Sequence, residues 1–268
     1  MIEQHRQYDY SSFDHPDILE YLFHPRQEPY CSEESESLRH LLIPVEKEVT
    51  IGGVMHITDR KAPVILFFHG NGEIASDYDD LGRYYIGEKI NFIVVDYRGY
   101  GVSKGSPSVT TMMRDAHTIF AHVISLLRKG RFTGKLFVMG RSLGSASALE
   151  IAHRYPDQLA GMIIESGFAH TTPLLIRLGL NTSRLNLHEE EGFHHLDKIK
   201  TFRKSTLIIH AEFDHIIPIQ EGIALFKASP CIKKRFLEIP GADHNTIYSY
   251  GLNTLMKAIR EMVISSIE

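Results

Sequence analysis

Gly140-Arg141-Ser142-Leu143-Gly144 directly follows an apolar run, Leu136-Phe137-Val138-Met139, and precedes the small residues Ser145-Ala146-Ser147-Ala148. One serine between two glycines, set between a strand and a helix, permits a turn tight enough to lift the hydroxyl clear of the backbone. The helix start behind it offers unpaired N–H groups and a field that favours developing negative charge. Such a hydroxyl needs a base, and the base needs an orienting acid. Two downstream segments offer both. Asp214 lies just past the apolar run that contains Ile208-Ile209, and His244 lies in the loop after Ile239. Asp243 and Glu165 are rival acids, the first handicapped because adjacent side chains do not naturally meet head-on. A further turn, His69-Gly70-Asn71-Gly72-Glu73, follows Val64–Phe68. It can aim a backbone N–H at a substrate oxygen, so Asn71, with Gly72 in reserve, joins the N–H of Leu143 as an oxyanion hole. His69 reads as a structural hydrogen-bonding residue.

Elements must bring these residues together. Short apolar runs recur at 64–68, 92–95, 136–139, 162–164, 206–209 and 236–239. Most are continuously apolar, as expected of strands covered on both faces. Amphipathic stretches separate them, the clearest from Thr110 to Lys129, and another closes the chain through Leu252, Leu255, Ile259, Met262 and Val263. The alternation predicts an α/β fold with a mainly parallel sheet and helices on both faces. In such a sheet Ser142, Asp214 and His244 all fall at the C-terminal strand edge, where open α/β sheets bind ligands. His40 to Asp59 reads as an antiparallel edge hairpin turning near Gly52-Gly53. Residues 1–38 read as an N-terminal arm with at most one helix, and 39–268 as one domain. An insertion at about 171–204 reads as a short lid, with a helix from Pro173 to Leu180 and a charged piece from His188 to Lys204.

The chain resembles the α/β-hydrolase superfamily, in particular its small esterase- and thioesterase-like serine hydrolases. The resemblance rests on His69-Gly70-Asn71, on Asp96-Tyr97-Arg98-Gly99-Tyr100-Gly101-Val102-Ser103 and on Gly140–Gly144, and it spans roughly 40–268. It implies Ser142 as nucleophile, Asp214 as acid and His244 as base, with no cofactor or metal. Ala211 departs from the Gly that family members often carry ahead of the acid. Haloalkane dehalogenase and epoxide hydrolase chemistry needs an aspartate nucleophile, and position 142 is serine. The expected reaction is cleavage of an ester or thioester, in a small molecule or an acylated partner, through an acyl-enzyme. The alternatives are an aminopeptidase-like serine peptidase, with Glu189-Glu190-Glu191 holding a substrate amine, and a silent hydrolase-fold binding protein.

Composition narrows the field. The 268 residues are 43% hydrophobic and 23% charged, which excludes disordered, collagenous and disulfide-scaffold classes. Net charge is −4, with no long Lys/Arg block, so no nucleic-acid partner is expected. Two cysteines, Cys31 and Cys231, build no framework, and no run reaches the ~18 apolar residues of a membrane span, so the expectation is a cytoplasmic protein. Sixteen histidines raise a metal reading, but neither His194-His195 with Asp197 nor His210 with His215 has recognised ligand spacing.

Overall fold

The computed structural model describes residues 8–29 and 35–266. An N-terminal segment carries a 3-10 turn at Ser11–Phe13 and helix α1 (Pro16–Leu22), started by Pro16 and capped by the His15 ring, which accepts from the Asp17 N–H. Strands β1 (Leu38–Glu46), β2 (Val49–His56), β3 (Val64–Phe68), β4 (Asn91–Val95), β5 (Leu136–Arg141), β6 (Gly161–Glu165), β7 (Ser205–Ala211) and β8 (Lys234–Ile239) form one sheet in the order β1-β2-β4-β3-β5-β6-β7-β8. β1, β2 and β4 pair antiparallel, and every pair from β4 through β8 is parallel. The helices that follow are α2 (Asp79–Gly87), α3 (Val109–Lys129), α4 (Gly144–Arg154), α5 (Thr171–Arg177), α6 (His195–Thr201), α7 (Ile219–Ala228) and α8 (Ile247–Ser265).

The continuous apolar strands split by their two-residue period into two cores. Leu66, Phe68, Ile93, Val95 and Val138 pack on the face covered by α3 and α4, whereas Ile65, Phe67, Phe92, Val94 and Met139 pack on the face covered by α2 and α8. The edge hairpin turns at Lys47-Glu48 rather than near Gly52-Gly53. Those glycines lie inside β2, opposite Leu42 and Leu41. A side chain there would collide: a Cβ on Gly52 would sit 2.5 Å from Val102 Cγ2, and one on Gly53 2.6 Å from the Val94 carbonyl. Close approach, not turning, is the reason for both.

The same constraint governs the turn after β5. A Cβ on Gly140 would lie 2.3 Å from the Gly144 carbonyl, and one on Gly144 2.0 Å from that of Phe68. Ser142 between them has φ of +50°, a left-handed conformation in which a non-glycine residue is strained. Its N–H donates to the Glu165 carbonyl at 2.9 Å, which ties the turn to the neighbouring strand. Backbone atoms cannot move aside as flexible side chains do, so Gly144→Ala should cost about 3 kcal/mol or more, read as the fall in unfolding free energy by urea titration.

Candidate active site

Parallel pairing aligns the ends of β3, β5, β6, β7 and β8, and the loops leaving those ends carry the chemical groups. His244 Nε2 lies 3.0 Å from Ser142 Oγ, and His244 Nδ1 lies 2.7 Å from Asp214 Oδ2. A carboxylate only accepts, so the proton sits on Nδ1 and leaves Nε2 to accept the serine hydroxyl. The other Asp214 oxygen accepts the N–H groups of Ile216 and Ile217 at 3.1 and 2.7 Å. Burial alone would raise the Asp214 carboxyl, but the His244 hydrogen bond and charge, with the Ile217 N–H, hold it below the usual carboxylate range. Behind it His210 donates from Nε2 to the Ile217 carbonyl at 2.7 Å and stays neutral, because burial lowers its affinity for a proton.

The rivals fall elsewhere. Glu165 accepts from Arg141 at 2.7 Å and from the Tyr248 hydroxyl at 2.9 Å, and Asp243 caps its own turn through the N–H groups of Asn245 and Thr246. Asn71 and Leu143 line a cavity of about 250 Å³ together with Ser142, and neither main-chain N–H makes a hydrogen bond among the described residues. The Asn71 side-chain oxygen is held by the His24 N–H at 2.8 Å and the Tyr100 hydroxyl at 2.7 Å. His69 is buried between Asp96 and the Gly70 carbonyl, and Arg98 grips Asp115 and Glu46. Both act as braces for the loops. The Glu189 carboxylate accepts the N–H groups of Thr171 and Thr172 at 2.8 and 2.7 Å, so it caps α5 instead of facing the cavity.

Motif spacing assigns no role to Arg141, the variable residue of Gly-x-Ser-x-Gly. Its guanidinium donates to Glu73 at 2.9 Å, to Glu165 and to the His244 carbonyl at 2.8 Å. Glu73 in turn accepts the Gly70 N–H at 2.6 Å and the Tyr78 hydroxyl at 2.5 Å. The loop bearing Asn71 and the loop bearing His244 are thereby tied to the residue preceding Ser142. A charged residue ending a fully covered strand was the available signal, since buried cations are almost always paired. Burial pushes Glu73 up, but the Arg141 charge and hydrogen bond and the Tyr78 hydroxyl bring it down to about 2.

No group of three or more His, Cys, Asp or Glu side chains suited to a metal occurs among the described residues. Cys231 is a buried free thiol, and Cys31 lies outside the described residues. No helix among the described residues is long and apolar enough to cross a membrane.

A family model described as serine aminopeptidase, S33, matches residues 59–186. The chain is 30% identical over 193 residues to alpha/beta hydrolase domain-containing protein 17C of Xenopus tropicalis, covering 70% of this chain and 57% of the relative. Protein bem46 of Schizosaccharomyces pombe is 26% identical over 186 residues, covering 68% of this chain and 62% of the relative. The chain thus spans about three fifths of the length of these curated relatives. Among solved structures, Est1E from Butyrivibrio proteoclasticus superposes with a TM-score of 0.67 at 18% identity, covering 85% of this chain and 98% of that one. The Pyrococcus furiosus esterase Pf2001 gives 0.72 at 14% identity, covering 91% and 98%. These matches and the shared fold support the α/β-hydrolase superfamily for this chain. Its sheet order and its serine turn are those of an α/β-hydrolase fold.

The lowered Glu73 carboxyl has a consequence for stability. Its folded-state value is depressed, so its contribution is fully present above about pH 4.5 and is lost as pH falls toward about 2. Glu73→Gln should therefore flatten the fall of Tm across that window, measured by circular dichroism melts in parallel with the parent protein.

Proposed function

We propose that the chain is a serine hydrolase that cleaves an ester or thioester of a small molecule or acylated partner, working in the cytoplasm without a cofactor. The observation that carries this reading is the continuous run of hydrogen bonds from Asp214 through His244 to a serine held at φ +50°. Ser142 Oγ attacks the carbonyl carbon as its proton passes to His244 Nε2. Asp214 holds the imidazole in the required tautomer and stabilises the imidazolium. The oxyanion that forms is bound by the Asn71 and Leu143 N–H groups. Collapse expels the alcohol or thiol, which takes the proton from His244, and leaves the acyl group on Ser142. Water then attacks the acyl-enzyme by the same proton route, releasing the acid and restoring the serine.

The names of the relatives and neighbours, hydrolases and esterases, support this reading. The aminopeptidase alternative has the family model's description behind it. Of the three glutamates expected to hold a substrate amine, Glu189 is engaged at the start of α5.

Ser142 should label with a fluorophosphonate probe, and absence of labelling in the folded protein would favour a silent binding protein. Ser142→Ala and His244→Ala should each lower kcat on p-nitrophenyl esters by about 10⁴–10⁶, with no further loss in the double variant, since such groups act as a unit. Asp214→Asn should lose roughly 10³–10⁴ through the wrong histidine tautomer. A larger loss in Glu165→Gln than in Asp214→Asn would show that the acid is misassigned.

A further inference from the structure

The cavity beside Ser142 is closed by two elements that lie far apart in sequence. From the lid side, α5 and the residue just past its end contribute Leu174 and Leu178, one helical turn apart and so on one face. Their neighbours Leu175 and Leu180 turn into the core, and Ile176 faces outward at 56% exposure, so only part of the expected leucine stripe meets the cavity. Helix α1, which touches α5, contributes its last residues Tyr21 and Leu22, and the loop after β7 adds Ile216 and Ile217. Apart from the polar groups around Ser142, this is an apolar chamber.

The α1 wall is held in register rather than laid on loosely. Phe13, Ile18 and Leu22 are buried in the core shared with α3 and α4, and the Tyr10 hydroxyl donates to Glu150 on α4 at 2.8 Å. Beyond α1 the His24 N–H faces both the Asn71 side-chain oxygen and the Tyr100 hydroxyl, each at 2.8 Å. The chain then pairs with Gly101: the Gly101 N–H donates to the Arg26 carbonyl at 2.8 Å, and the Glu28 N–H to the Gly101 carbonyl at 3.0 Å. Ser76 donates to Glu28 at 2.7 Å, and Arg26 pairs with Asp77. Leu22 is therefore fixed relative to the same loop that carries Asn71. This segment precedes the stretch matched by the family model.

We infer that α1 and α5 together form the acyl-binding site, that Leu22 sets its far limit, and that the acyl group it takes is a short, unbranched aliphatic chain. The inference rests on the serine-hydrolase reading for turnover, but the binding it describes does not need turnover. A chamber of about 250 Å³ is smaller than the ~300–1,000 Å³ of drug-sized ligand sites, which is why short chains are favoured. Each methylene that finds apolar wall is worth about 0.8 kcal/mol, or up to about fourfold in kcat/KM.

The test is a p-nitrophenyl ester series from acetyl to hexadecanoyl. Calorimetric binding of linear aliphatic amides of four to twelve carbons to Ser142→Ala protein accompanies it. With native Leu22, kcat/KM should rise by up to about fourfold per methylene to butyryl or hexanoyl and then level or fall. Leu22→Ala should move the optimum at least two carbons longer, in the ester series and in amide affinity alike, whereas Leu22→Met should leave it in place. Tyr21→Ala, at the partly exposed rim, should relax the same limit without the burden of a core cavity. Superimposable chain-length profiles for native Leu22, Leu22→Ala and Tyr21→Ala, or a steady rise to hexadecanoyl esters with native Leu22, overturn the inference. Amide binding that follows Leu22 while Ser142 neither labels nor turns over supports the acyl site and strikes only the hydrolase reading.

Discussion

One guanidinium holds the candidate site in register. Arg141 ends β5 immediately before Ser142, and its three directions of hydrogen bonding reach the His244 carbonyl, Glu73 and Glu165. The planar fork makes this possible, because a lysine ammonium at the same place could not present fixed donors to three partners at once. Removing such a cation would leave two carboxylates facing each other with no counter-charge, a costly arrangement in a buried setting. Tyr78 and Tyr248 complete the cluster by donating to the remaining carboxylate oxygens, so nearly every lone pair around Arg141 has a partner. The electrostatics and the positioning are therefore one feature.

Strain at Ser142 is maintained by the same neighbourhood. A left-handed non-glycine backbone persists only where its surroundings over-determine it. Here the Ser142 N–H is fixed to β6, the Ser142 carbonyl accepts both the N–H and the hydroxyl of Ser145, and the flanking glycines bring the turn against the Phe68 carbonyl. Packing at Gly140 and Gly144 and hydrogen bonding at Ser142 thus fix the direction of a single hydroxyl. The segment from Tyr21 to Glu28 does comparable work for Asn71, through the His24 N–H, a main-chain donor that any residue type other than proline could supply.

Much of this was legible in the chain itself. The continuously apolar runs predict parallel strands, and β3 through β7 lie where those runs lie, because strands covered on both faces are apolar at nearly every position, whereas the edge strand β8 alternates. Ser142, Asp214, His244 and the turn at Asn71 were identified from residue type and from their places just past strand ends. The glycine pair at 52–53 misled, since glycine serves a close approach as readily as a turn, and the sequence carries no sign of which neighbour, Val102 or the Val94 carbonyl, will arrive. Two linker residues, Lys47 and Glu48, turn the hairpin without any glycine.

Local chemistry thus determined what the groups are and the order in which they occur, because strand period, turn chemistry and motif spacing are properties of consecutive residues. Which acid faces His244 was decided by tertiary structure: Glu165 and Asp214 both follow apolar runs, and Arg141 and Tyr248 claim the first while the β7–α7 loop delivers the second. The role of the N-terminal residues was decided there too. Leu22 and His24 are 120 and 118 positions before Ser142, counting 142 − 22 and 142 − 24, yet they share its cavity. No pattern in a local window encodes that meeting, since it depends on how α1 docks against the core built by α3, α4 and the sheet.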